Sequence, residues 1–176
     1  ASSDLAFATD FAVGKLEAKD EHAGEMLETV KEKMLEVETL PTAALWALDL
    51  PEGKVRDEML MAVTSEFVKK EPKEAANWAA TLEGEEGIQI KQFIAGRWAK
   101  EDPIACLDWA QKLPDGQGKN ASIGEVVSEW TGQDPDAVYE FLNDMSNRSE
   151  KDAAVEAFSA RISDNDPHSA IAWADE

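Results

Sequence analysis

The stretch EPKEAANWAATLEG, residues 71–84, places a proline at the start of what otherwise reads as an unbroken helix, with a tryptophan six positions on. A proline inside a helix removes a hydrogen bond and collides with the preceding turn, whereas at the first helical position its missing N–H has no partner to lose. After Pro72 the apolar residues Ala75, Trp78, Ala79 and Leu82 fall at i, i+3, i+4 and i+7, one face of a helix. Pro72 therefore opens a helix, and the turn-former Gly84 follows its end.

The arrangement recurs along the chain. Prolines stand at Pro41, Pro72, Pro103, Pro135 and Pro167, spaced 31, 31, 32 and 32 residues apart. Aromatic residues follow in phase at Trp46, Trp78, Trp109, Phe141 and Trp173. A small residue comes next at Ala47, Ala79, Ala110 and Ala174, with Leu142 the exception, and Leu50, Leu82, Leu113 or Met145 lies four positions after the aromatic. A second series, Phe67, Trp98, Trp130 and Ile162, lies five residues before each next proline, and an acid (Glu71, Asp102, Asp134, Asp166) immediately precedes that proline. Several columns repeating together define tandem units of 31–32 residues.

Each unit reads as two helices. An aspartate before the proline accepts from first-turn amides and suits the positive end of the helix, so Asp102, Asp134 and Asp166 are N-caps, with Glu71 a weaker cap in the same place. First helices are predicted near 41–50, 72–83, 103–113, 135–145 and 167–175, and second helices near 54–69, 87–100, 118–131 and 149–163. Turn-formers separate the halves, including Pro51 to Gly53, Glu83 to Gly87 and Pro114 to Gly116. The second helices carry apolar stripes at Leu60, Val63 and Phe67, at Ile123, Val126 and Trp130, and at Val155, Phe158 and Ile162. No useful period-2 pattern appears, so no sheet is expected. A pair this short cannot bury its own stripe, and stacking on neighbouring pairs does so, which predicts an all-α, right-handed α-α superhelix.

The units are read as 41–71, 72–102, 103–134 and 135–166, preceded by a divergent helical pair over 1–40 with a stripe at Met26, Leu27, Val30 and Met34. Residues 167–176 are the first helix of a truncated repeat or a C-terminal cap, and a longer array is the preferred reading, with end-to-end association through that helix as a consequence. The chain starts at Ala1 rather than Met, which leaves export, a cell-surface position and the cytoplasm all open.

Paired helices with an aromatic-small signature in the first helix resemble tetratricopeptide-type repeats, in a shorter tryptophan-alanine variety with a leading proline that is associated with large bacterial repeat proteins. The period of 31–32 departs from the usual value of about 34. The proline also opens the unit instead of closing its second helix. The resemblance implies protein or peptide binding without catalysis.

Charge narrows the partners. With 17 basic and 37 acidic residues the net charge is −20, which disfavours nucleic acid and anionic membrane surfaces and favours basic proteins or peptides. No apolar run approaches the roughly 20 residues that span a bilayer. The tryptophans read as core residues because they recur at helical spacing. Cys106 shares a column with Ala75, Val138 and Ala170, and so reads as a buried small residue and not a nucleophile. His22 and His168 lie beside helix starts and carry no catalytic signal. No nucleophile elbow or phosphate loop is present, and the acidic turns 83–87 and 164–168 do not match a calcium loop. No cofactor or metal is expected.

The best binding surface is then the polar face of the first helices beside the aromatic column. It comprises Asn77, Asp108, Gln111, Glu140, Asn143 and Asp144, which can bond an extended backbone or Lys and Arg side chains. The resulting expectation is a non-enzymatic scaffold for a protein or peptide. The alternatives are a helical accessory domain of a larger enzyme, or a spacer with no specific ligand.

Overall fold

The structure, a computed structural model, describes residues 2–146 and 148–165. The predicted helix near 167–175, with His168 and Trp173, and the cap Asp166 lie outside the described residues. Ten α-helices and no strand are found among the described residues. They are α1 (Ser2–Glu17), α2 (Ala23–Val37), α3 (Leu40–Leu48), α4 (Lys54–Lys70), α5 (Pro72–Ala80), α6 (Gly84–Trp98), α7 (Pro103–Gln111), α8 (Gln117–Thr131), α9 (Pro135–Asp144) and α10 (Arg148–Asn165). The chain divides into two compact units, one up to Ala75 and one from Ala76 onward.

Local chemistry sets where the helices start. Asp102 and Asp134 hold nearly the same backbone conformation (φ −148°, ψ 82° and φ −149°, ψ 84°), and each carboxylate accepts from the amide three residues on, Ala105 and Ala137, at 3.0 Å. Pro103 and Pro135 follow as the first helical residues. In unit 1 the corresponding cap is Thr39, whose hydroxyl accepts from the Thr42 amide at 3.4 Å, so α3 begins at Leu40, one residue before its proline. The backbone carbonyls of Phe67, Trp98 and Trp130 accept from the amides of Glu71, Asp102 and Asp134 respectively, at 2.8–2.9 Å. The aromatic column thus also closes the second helices through its main chain.

The turns between helix halves use glycine where a side chain would be strained. Gly53 and Gly116 precede α4 and α8 at φ 142° and 148°, a region that L-residues rarely adopt. Cationic groups cover carbonyls at or just beyond the ends of the preceding helices: Arg56 Nε donates to Leu48 O at 3.1 Å, and Lys91 Nζ donates to Leu82 O, two residues after α5.

In unit 1, α2 packs against α1, α3 and α4, and α3 packs against α4. Its core includes Ala12, Leu27, Ala44, Ala47, Val63 and Phe67. Met26 is only half-buried, and Ala23 joins Leu27, Val30 and Met34 on the buried face of α2. Phe7 and Phe11 lie on α1, as an early helix requires, but are exposed.

In unit 2, α8 is the central element and packs against α6, α7, α9 and α10. Ile123, Val126 and Val127 are fully buried on it, and burial of each such side chain stabilises by about 1.5–3 kcal/mol. Ala79 and Ala110, next to the aromatic column, are fully buried, which lets neighbouring helices approach. The tryptophans beside them are less enclosed than a core reading implies. Trp78, Trp109 and Phe141 are half-buried, whereas Trp98 and Trp130 of the second helices are buried.

One predicted stripe is corrected. Val155 is 40% exposed, and the buried face of α10 is carried by Glu150, Ala154 and Phe158, at intervals of four. An ion pair is enclosed on that face: Glu150 Oε1 lies 2.7 Å from Lys119 Nζ of α8, with both side chains about nine-tenths buried. Charged residues are not core signals in a sequence, so a stripe read from apolar residues alone contains Phe158 but misses Glu150 and Ala154.

Candidate functional site

All six residues of the predicted polar face are exposed: Asn77 on α5, Asp108 and Gln111 on α7, and Glu140, Asn143 and Asp144 on α9. Their surroundings differ. The Asp108 carboxylate is bonded by Lys112 Nζ at 2.6 Å, which offsets its charge. Gln111 and Asp144 are brought together at a cavity of about 210 Å³, whose wall also includes Phe141, Met145, Ser146 and Glu150. Asn77, Asp108, Glu140 and Asn143 do not line it.

The cavity forms because α9 ends at Asp144 and the chain turns at Met145 into α10. Phe141 is held from behind by Trp130, with ring centroids 5.7 Å apart and planes tilted by 46°. Glu150 is neutralised by Lys119, which also reaches Asp115 at 3.1 Å. These partners, Glu150 first, raise the Lys119 pKa and keep the ammonium charged. Asp144 has no ion-pair partner among the described residues, so the cavity carries one uncompensated negative charge beside an aromatic ring and a thioether. Those groups suit a lysine or arginine side chain, whose stem packs on Phe141 and Met145 while its head meets Asp144.

A second cavity, of about 500 Å³, lies within unit 1 between α1 and α3. Four of its wall residues, Trp46, Asp49, Leu50 and Pro51, lie 95 residues before Phe141, Asp144, Met145 and Ser146 of the smaller cavity. That interval is one 31-residue and two 32-residue steps of the aromatic column. The two units therefore build a cavity from the same positions of the period. Sequence reading missed this one because Leu45 takes the place held by Asn77, Asp108 and Glu140, so the column does not look polar there. The signal that points to it is Asp49, in the column of Asp144.

Other reactive groups are enclosed or ordinary. Cys106 is fully buried, its thiol 3.6 Å from Ala95 O, and burial together with the Asp102 charge pushes its pKa up to about 12. His22 is exposed at the start of α2, with Nδ1 3.4 Å from Asp20 Oδ1. Among the described residues no three His, Cys, Asp or Glu side chains are grouped to hold a metal ion, and no helix is long and apolar enough to cross a membrane. Comparison with protein-family models, with curated proteins and with solved structures finds no match for this chain.

Proposed function

We propose that this chain is a non-enzymatic repeat scaffold, a tetratricopeptide-like right-handed superhelix, which binds a basic protein or peptide segment along the first helices. The observation that carries this reading is the meeting of Gln111 and Asp144 at one cavity, against Phe141 and Met145. Two polar residues picked from the periodic pattern stand at a recess whose chemistry fits a cationic side chain. The net charge of −20 adds long-range attraction for such a partner.

The test uses the full chain and a fluorescent, extended peptide carrying two arginines, with affinity read by anisotropy. Asp144→Lys is expected to weaken binding by at least about tenfold, equivalent to about 1.4 kcal/mol. Asp108→Lys, at a carboxylate already offset by Lys112, is expected to cost less. Helical content by circular dichroism stays at the parental value in both, since both sites are exposed. Equal binding by Asp144→Lys and the parent rules the cavity out.

A further inference from the structure

The groove between α1 and α3 has a composition that selects its occupant. Leu5, Val13, Met34, Leu45 and Leu50 supply an apolar floor and flank, with Leu45 55% exposed at the opening. Trp46 is fixed against the far wall, because its indole N–H donates to Thr9 Oγ1 at 3.0 Å and the Thr9 hydroxyl donates to Leu5 O at 2.9 Å. The Thr42 hydroxyl pairs with that of Thr39 at 2.8 Å. Asp10, Glu38 and Asp49 complete the lining, and none of the three has an ion-pair partner among the described residues. No lysine, arginine or histidine lines the groove.

The unspent groups are therefore apolar surface and three carboxylates. The α1 and α3 walls are helical, so most of their backbone N–H and C=O groups are committed to their own helix. An extended peptide needs backbone partners that such walls do not offer, whereas a helix arrives with its own backbone bonds made. The wall positions on α1 run from Leu5 to Val13, a rise of about 12 Å at about 1.5 Å per residue, enough to face two turns of a partner helix. The volume of about 500 Å³ lies within the roughly 300–1,000 Å³ of sites that enclose ligand groups.

The geometry points to this groove as a docking site for a short basic amphipathic helix, with Leu-type anchors on the floor and Lys or Arg heads at Asp10, Glu38 and Asp49. The inference stands on unit 1 alone and goes beyond the cationic side-chain recess of unit 2. It differs from that recess in needing a helical, apolar partner face.

The probe is a fluorescein-labelled twelve-residue peptide of leucine and lysine at helical spacing, titrated with the full chain at physiological salt and read by anisotropy. A peptide of the same composition in scrambled order, and one with glutamate for lysine, serve as comparators. Leu45→Lys and Asp49→Lys are each expected to weaken the helical peptide by at least about tenfold, as removal of a central anchor does. Both positions are exposed, and Asp10→Lys gives a third variant on the opposite wall. Asp144→Lys is expected to change the affinity of the helical and the scrambled peptide alike, whereas Leu45→Lys weakens the helical one selectively, which separates the result from the proposed unit 2 recess. Equal binding of the scrambled peptide overturns the inference, since charge alone then suffices. So does unchanged binding in Leu45→Lys and Asp49→Lys, or loss of binding in Asp144→Lys alone.

Discussion

Trp98 and Trp109 stand with ring centroids 6.2 Å apart and planes tilted by 43°, joining the end of α6 to α7. Trp130 and Phe141 repeat the relationship between α8 and α9. In both pairs the partners are eleven residues apart, so the second-helix aromatic packs on the first-helix aromatic that follows it. Trp98 is the more enclosed partner, and Trp98→Ala is expected to destabilise by about 3 kcal/mol in urea unfolding. Trp109 Nε1 is buried without a hydrogen-bond partner, and Phe141 fills the equivalent position. Trp109→Phe is therefore expected to cost less than about 1 kcal/mol. A loss as large as that of Trp98→Ala would show that the indole N–H matters.

The Lys119–Glu150 pair bridges α8 and α10 with both side chains largely removed from water. Removing one member leaves the other buried and uncompensated, so Glu150→Gln and Lys119→Met are each expected to destabilise by about 2 kcal/mol. The Lys119 pKa is raised above its ordinary value, so its contribution is complete below that value and disappears as pH rises through the folded pKa. The difference in stability between parent and Lys119→Met should accordingly shrink at strongly alkaline pH. A difference that grew there would refute the pairing.

Cys106 gives a pH effect of defined direction. Its folded pKa is pushed up to about 12 from 9.0, chiefly by burial. Between those values the unfolded chain has released the thiol proton and the folded chain has not, so stability falls as pH rises, by up to about 1.4 kcal/mol per pH unit. Comparison with Cys106→Ala isolates the effect, because other groups titrate equally in both. Ala75 fills the same column, so alanine fits. The native thiol is also expected to react with a thiol reagent at the rate of unfolding, and prompt labelling would contradict its burial.

Two glycines separate helix propensity from space. A Cβ at Gly87 would lie 2.8 Å from the backbone C and O of Leu82, atoms that cannot swing aside. At Gly118 it would meet Lys91 Cδ at 3.4 Å and Ile88 Cγ1 at 3.6 Å, ordinary contacts. Alanine gains up to about 1 kcal/mol of helix propensity at either place, but overpacking costs about 1–3 kcal/mol only at Gly87. Thermal melts should show Gly87→Ala less stable than the parent and Gly118→Ala equal or more stable.

Helix type and the starts of α7 and α9 were legible because their causes are local, whereas α6 begins at Gly84, inside the turn predicted over 83–87. The capping of α7 and α9 needs only an aspartate, a proline and the amides of the next turn, all within four residues of chain. The fully buried column of Ala75, Cys106 and Val138 was likewise readable from spacing. The stripe of α10 was not, since burial of Glu150 depends on Lys119, 31 residues away, and no apolar periodicity announces a buried charge.

The candidate sites divide in the same way. Gln111 and Asp144 were visible as exposed polar positions, but their meeting at a recess depends on how α7, α9 and α10 pack. The groove of unit 1 was hidden, because Leu45 interrupts the polar column of Asn77, Asp108 and Glu140, and because Asp10 and Asp49 come to line one cavity only when α1 and α3 pack on α2. The sequence by itself determined the helices and the aspartate caps of α7 and α9, which arise from bonds along a short run of chain. Tertiary packing alone decided which charges are buried or paired and which side chains share a cavity, because those depend on helix rotation and on contacts between distant residues.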